Sequence, residues 1–163
     1  MKKTPHYHDT RFADDVKPKS LTSLIDLNEG VYMRLRKLIP NLGSIEKDAV
    51  SHVYGYMSLH LSIVERSQYT TSFILTYHFN ADSSVKTRQQ LEPNLLIRMY
   101  HDAHLAEAVS AHMSASQLMK HGMPAKTRIA KWQLNRFLFK WLGYSLRQGH
   151  SFAERTAPFY GKY

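Results

Sequence analysis

Seven side chains able to bind or move a proton fall in two short stretches: Glu65, Arg66 and Tyr69 in one, Tyr100, His101, Asp102 and His104 in the other. Carboxylates and imidazoles brought within hydrogen-bond reach can share general acid–base work or hold a divalent metal. The spacing also has a plain reading as turns: aspartate accepts bonds from nearby backbone amides, and Glu65 can pair with Arg66 or Arg98. His101 and His104 stand three apart in an extended or turning stretch, unlike the i, i+4 histidines of a helical zinc site. The candidate set is therefore Glu65, Tyr69, Tyr100, His101 and Asp102, with no metal and no cofactor expected.

A second constellation lies in the last third of the chain. Residues 1–111 carry 13 Lys/Arg against 12 Asp/Glu, whereas residues 112–163 carry nine Lys/Arg against Glu154 alone. Nearly all of the formal charge of +9 thus belongs to the C-terminal part. A one-sign surface attracts polyanions and speaks about partners, not about fold. Arg136, Lys140 and Arg147 recur at steps of four and seven, so one helix face holds all three, with Gly143 between them leaving that face open. Arg128 and Lys131 stand just upstream. Trp132 and Phe139 interleave with these cations, and an exposed aromatic there would stack on bases as single-strand binders do. The candidate nucleic-acid residues are Arg128, Lys131, Trp132, Arg136, Lys140 and Arg147. The other reading of both aromatics is that they are core.

The elements that must position these residues follow from hydrophobic periodicity. Residues 1–19 are polar and aperiodic, which predicts a loose arm. Ser20 can cap a helix whose apolar stripe runs through Leu21, Leu24, Ile25, Tyr32, Leu35, Leu38 and Ile39, broken at Pro40. The period then changes to two. Met57, Leu59, Leu61 and Ile63 alternate with polar residues, as do Phe73, Leu75, Tyr77 and Phe79, and Arg66-Ser67-Gln68 joins them as a hairpin. Val50–Tyr54 predicts a shorter strand, residues 80–92 a loop, and Asn94–His101 and His104–His112 two further strands. The second of these is alanine-rich, a poor strand composition. Thr127 opens a long helix to about Gln148, with an inner stripe of Ala130, Leu134, Phe137, Leu138, Trp141 and Ser145 and with Gly149 as its C-terminal cap.

The expected fold is therefore α+β: an antiparallel meander of four to five strands, with the N-terminal and the long C-terminal helix on one face. Residues 20–149 form one globular domain, and residues 150–163 an aromatic, basic tail. The other sheet face would carry Ser58, His60, Ser62, Thr76, His78, Arg98 and Tyr100, a wet surface analogous to RNA-binding platforms. The turns at 66–68 and 102–103 would meet at one end of such a meander, bringing the first constellation to one rim.

Several function classes drop out. Without cysteine there is no disulfide, thiolate or Cys-based zinc chemistry. No Gly-rich phosphate loop, Gly-x-Ser-x-Gly elbow or His-Glu-x-x-His is present. The basic start Met1-Lys2-Lys3-Thr4 leads into Pro5-His6-Tyr7-His8-Asp9 and not into an apolar run, so a cytoplasmic location without a membrane span is expected.

Three blocks stand out: Ile63-Val64-Glu65-Arg66-Ser67-Gln68-Tyr69-Thr70-Thr71, then Arg98-Met99-Tyr100-His101-Asp102-Ala103 with Ala106-Glu107, then Asn135 to Leu142. In order and approximate spacing they resemble the YqiB-like proteobacterial family of small domains of unknown function. The likeness runs from about Leu24 to Gly149. It implies a cytoplasmic protein and carries no activity, substrate or catalytic residue. On the residues themselves, the leading expectation is a non-enzymatic binding module for RNA, a ribonucleoprotein surface or another polyanion. The alternatives are a protein–protein adaptor using the tail, and an enzyme using the rim.

Overall fold

The structure is a computed structural model that describes residues 21–78, 93–111 and 128–153. The expected arm at 1–19, the loop at 80–92, the connection at 113–125, the Thr127 cap and the tail beyond Ala153 lie outside the described residues, as does the side chain of His78. Among the described residues the element order is α1 (Leu21–Leu38), β1 (Asp48–Ser51), β2 (Ser58–Arg66), β3 (Thr70–His78), β4 (Asn94–Tyr100), β5 (Leu105–Ala111) and α2 (Arg128–Arg147). The strands form one antiparallel sheet in the order β1-β2-β3-β4-β5, the expected meander.

Alternation places Leu59, Leu61, Phe73, Leu75, Tyr77, Leu95, Ile97, Met99, Ala106 and Ala108 on the core side of the sheet. Leu27, Val31, Leu35 and Leu38 of α1 and Leu138 and Leu142 of α2 close the same core. The alanines of β5 prove useful: their small side chains admit both helices, which pack on this strand. A register shift between Leu96 and Ile97 interrupts β5, and there the Ala108 backbone amide donates to the side-chain Oδ1 of Asn135 (2.8 Å). The Asn135 amide in turn donates to the Lys131 carbonyl (2.9 Å), which accounts for a fully buried polar residue in α2.

The inner stripe of α2 differs from the expected one. Trp132, Asn135, Leu138, Phe139, Trp141, Leu142, Gly143 and Ser145 are buried, whereas Phe137 is 47% exposed. The reason is that α2 packs against α1 on one side and the sheet on the other, so its buried arc is wider than a single stripe. Gly30 of α1 faces the Phe139 ring, and a Cβ there would stand 2.9 Å from Phe139 Cε2. The helix-propensity cost of that glycine, ~1 kcal/mol, allows this close approach. Beyond α2, Gly149 adopts φ +91° and its amide donates to the Leu146 carbonyl (3.1 Å), while the His150 amide donates to Ser145 (3.1 Å). These two bonds make a Schellman cap, as the sequence predicts.

Candidate functional site

The rim constellation does not assemble as one site, because the sheet runs through it. Tyr100 and His101 are consecutive, so their side chains leave on opposite faces. His101 Nε2 lies 2.8 Å from Thr71 Oγ1 on the core side. Its pKa is pushed down by burial, then by the charges of Arg36 and Arg66, with Asp102 opposing. Arg66 is itself a structural ligand: it donates to the carbonyls of Gly43 (3.0 Å), Leu42 (3.2 Å) and Ile45 (2.8 Å), closing the short turn after α1. Asp102 is exposed on the turn, and His104, with φ 54°, sets its ring 5.4 Å from that of Tyr32. Tyr69 is exposed and its hydroxyl accepts from Gln68 Nε2 (2.8 Å).

Glu65 and Tyr100 do share one cleft, on the open face. A register shift between Ile63 and Glu65 puts Glu65 opposite Ser72, and the row continues through Arg98 to Glu107. Glu65, Ser67, Thr70, Ser72, Arg98 and Tyr100 line an open cleft of about 310 Å³. Within it Arg98 Nε donates to Ser72 Oγ (3.2 Å), and the Tyr100 hydroxyl donates to Glu107 Oε1 (2.9 Å). Burial, then the bond to and charge of Glu107, raise the Tyr100 pKa above the ordinary phenol value, with Arg98 opposing. A phenol held protonated is no general base at neutral pH. Arg98 stands between two carboxylates, so the row carries little net charge. Among the described residues no group of three or more His, Asp or Glu is arranged to hold a metal ion. Thr76, expected to be wet on this face, is buried between its cross-strand neighbours His60 and Asn94.

One pair has the form of a nucleophile with its base: Ser51 Oγ and His150 Nδ1, 3.0 Å apart. Both are buried, and the Ser151 amide also donates to Ser51 Oγ (3.1 Å), so the pair fastens the chain after α2 to β1. Tyr77 completes this polar seam by bonding Ser145 Oγ (2.8 Å) and donating to Gln148 Oε1 (3.3 Å).

The cation-bearing face of α2 is a different surface. Arg136, Lys140 and Arg147 share the outward side of the helix; Lys140 and Arg147 are exposed and Arg136 is half-buried. Arg128 and Lys131, also exposed, sit at the first turn away from that line. No acidic residue occurs anywhere in α2. The aromatic partners proposed from sequence are misplaced: Trp132 (3% exposed) and Phe139 (6%) belong to the core and cannot stack on a base without unpacking it. Their place is taken by Phe137 (47%) and Tyr144 (51%), seven residues apart and in one row beside the cations. The Phe137 ring stacks on Trp141, centroids 6.3 Å apart, which orients it from below. Nor is Gly143 open, because Arg34 of α1 lies over it. Arg34 Nη1 donates to the Phe139 carbonyl and its guanidinium carbon sits 3.4 Å from the centroid of the Phe139 ring. Sequence reasoning missed Arg34 because nothing in the α1 pattern tells which cation will cross to another helix.

Comparison with known proteins places the chain. Residues 34–151 match the family described as "Protein of unknown function (DUF1249)". The chain belongs to this family. The DUF1249 match spans both halves of the candidate surface, from Arg34 to beyond Arg147. A relative called "Uncharacterized protein YqiB", from Escherichia coli strain K12, is 30% identical over 129 residues, covering 77% of this chain and 88% of its own length. The YqiB proteins of strains O6:H1 and O157:H7 match to the same extent. No solved structure matches.

Proposed function

We propose that this DUF1249 protein is a non-enzymatic, cytoplasmic binding module for a polyanion, with single-stranded RNA as the ligand its chemistry favours. The carrying observation is the outward face of α2, where Arg136, Lys140 and Arg147 run beside the exposed rings of Phe137 and Tyr144. Cations along such a groove neutralise phosphates, and aromatic faces accept any base by stacking, worth about 1–3 kcal/mol per base. Single strands suit the pair better than a duplex, whose bases are already stacked. No helix among the described residues is long and apolar enough to cross a membrane.

The aromatic half of the proposal has its own test. Replacing Phe137 and Tyr144 together by alanine is expected to weaken a labelled single-stranded RNA at least tenfold by fluorescence anisotropy, since about 1.4 kcal/mol is tenfold. Duplex RNA binding should change little. Equal losses for both ligands would reduce the two rings to general packing, and no loss for either would remove them from the site.

A further inference from the structure

We propose that Arg34 of α1 and Arg147 of α2 form a two-helix clamp for one phosphate group, seated over Gly143; this rests on the polyanion reading and makes it specific. A side-chain Cβ at Gly143 would overlap Arg34 Nη1, would lie 3.0 Å from Arg34 Cζ, and would lie 3.5 Å from Arg147 Nη1. Two guanidinium groups, one from each helix, therefore reach the same point above the α2 backbone. Like charges repel at that range, and an oxyanion shared between two planar forks turns the repulsion into attraction.

The arrangement is preorganised. Arg34 is fixed by its bond to the Phe139 carbonyl and by its seat over the Phe139 ring. A guanidinium carries five donors in a rigid fork, so a carbonyl on one nitrogen fixes the direction of the others. Less side-chain freedom is then lost when an anion arrives. Gly143 is what permits this, because any larger residue would drive Arg34 off the helix surface. Lys140 stands about two turns before Arg147 on the same face, roughly 10 Å along the helix, where a further phosphate of a strand would pass.

The competing account is that basic residues gather here because α1 and α2 end nearby. Arg36 and Lys37 lie in the last turn of α1, and Arg147 in that of α2, where the helix dipole favours cations. That account explains the charge and is indifferent to whether it sits on arginine or lysine. It does not require two guanidiniums to converge on one glycine.

Charge-preserving variants of the full-length chain therefore decide. Binding of pyrophosphate by titration calorimetry, and of a short single-stranded uridine oligomer by anisotropy, would be measured for wild type, Arg34→Lys, Arg147→Lys, Gly143→Ala and the control Arg98→Lys on the open face of the sheet. Each of the first three variants should lose about tenfold for both ligands through loss of the bidentate fork, and the control less than twofold. Melting temperatures identify any variant that loosens the helix pair, and Arg147, being exposed, supplies a clean variant if Arg34→Lys unfolds. Wild-type affinity in Arg147→Lys overturns the clamp, as does RNA binding by a wild-type protein that ignores pyrophosphate; in both cases a diffuse basic face would remain. Pyrophosphate bound through both arginines without any RNA affinity would keep the clamp and overturn the RNA reading. Failure of both ligands overturns both.

Discussion

The open face of the sheet and the outward face of α2 are both rich in charge, and they use it in opposite ways. On the sheet, Arg98 lies in one cross-strand row with Glu65 and Glu107, donates to Ser72, and borders a tyrosine that itself bonds Glu107. Arg98 and Tyr100 there find partners within the protein, and the row mixes charges of both signs. On α2 the charge has one sign, no acid lies in the same helix, and two aromatic rings stay exposed beside it. The lesson is that a cluster of chemistry-bearing residues is not yet a site. What sets the α2 face apart is charge of one sign beside exposed aromatic surface.

The comparison presupposes that the sheet has one core face and one open face, and breaking that assumption should produce the largest effect. Leu61→Asp would bury an unpaired carboxylate and cost at least about 3 kcal/mol. Ser62→Ala, its neighbour on the other face, removes only an exposed bond to Asp48 (2.6 Å) and should cost less than about 0.5 kcal/mol. Denaturant midpoints compare the two, and similar losses would show that the faces are wrongly assigned.

The same chemical change should then act differently in the two regions. Arg98→Glu would place three carboxylates in one row and lower stability by about 1–2 kcal/mol, while leaving RNA affinity within about twofold. Arg147→Glu should leave the melting temperature nearly unchanged and weaken RNA several-fold. If Arg98→Glu weakens RNA as much as Arg147→Glu does, the open sheet face is part of the interface and the contrast fails.

The smallest effect is a pH dependence belonging to neither surface. Burial holds His150 below the ordinary histidine pKa of 6.5, offset in part by the backbone of Ser51 and Met57. The unfolded chain then binds the proton more readily than the folded one. Stability from this group is fully present above about 6.5 and falls as the pH drops below it, levelling off once the folded-state pKa is passed. His101, lowered for similar reasons, acts in the same direction. Thermal melts from pH 7.5 to 5 should fall toward acid, and His150→Asn should flatten the curve. An unchanged slope in that variant would assign the dependence to other groups.

Much of the fold was legible in sequence because periodicity reports which face a residue occupies. The switch from a helical stripe to alternation at Met57 and back again after residue 127 places every described element within a few residues. The site was legible only in part. Arg136, Lys140 and Arg147 share a face by spacing alone, as expected. A single-stripe reading turns Phe137 inward and leaves Trp132 and Phe139 as candidates for exposure, whereas the helix is buried on two sides. The rim set failed for a simpler reason: alternation already required Tyr100 and His101 to part. What brought Glu65 to the side of Tyr100 was the register shift after Ile63, which no composition signal marks. Arg34 was invisible because its role arises from tertiary contact with Phe139 and Gly143.

The most direct test of the account is the salt dependence of single-stranded RNA binding by the wild type and by the triple variant Arg136→Glu, Lys140→Glu, Arg147→Glu. Phosphate contacts release counterions, so the logarithm of the affinity should fall linearly with the logarithm of salt, by about 0.7 for each phosphate neutralised on a single strand. The account predicts a folded triple variant whose slope is shallower by about two units and whose affinity near physiological salt is lost. A wild-type protein with no RNA affinity even at low salt, or a triple variant that binds with the same slope and strength, would contradict it.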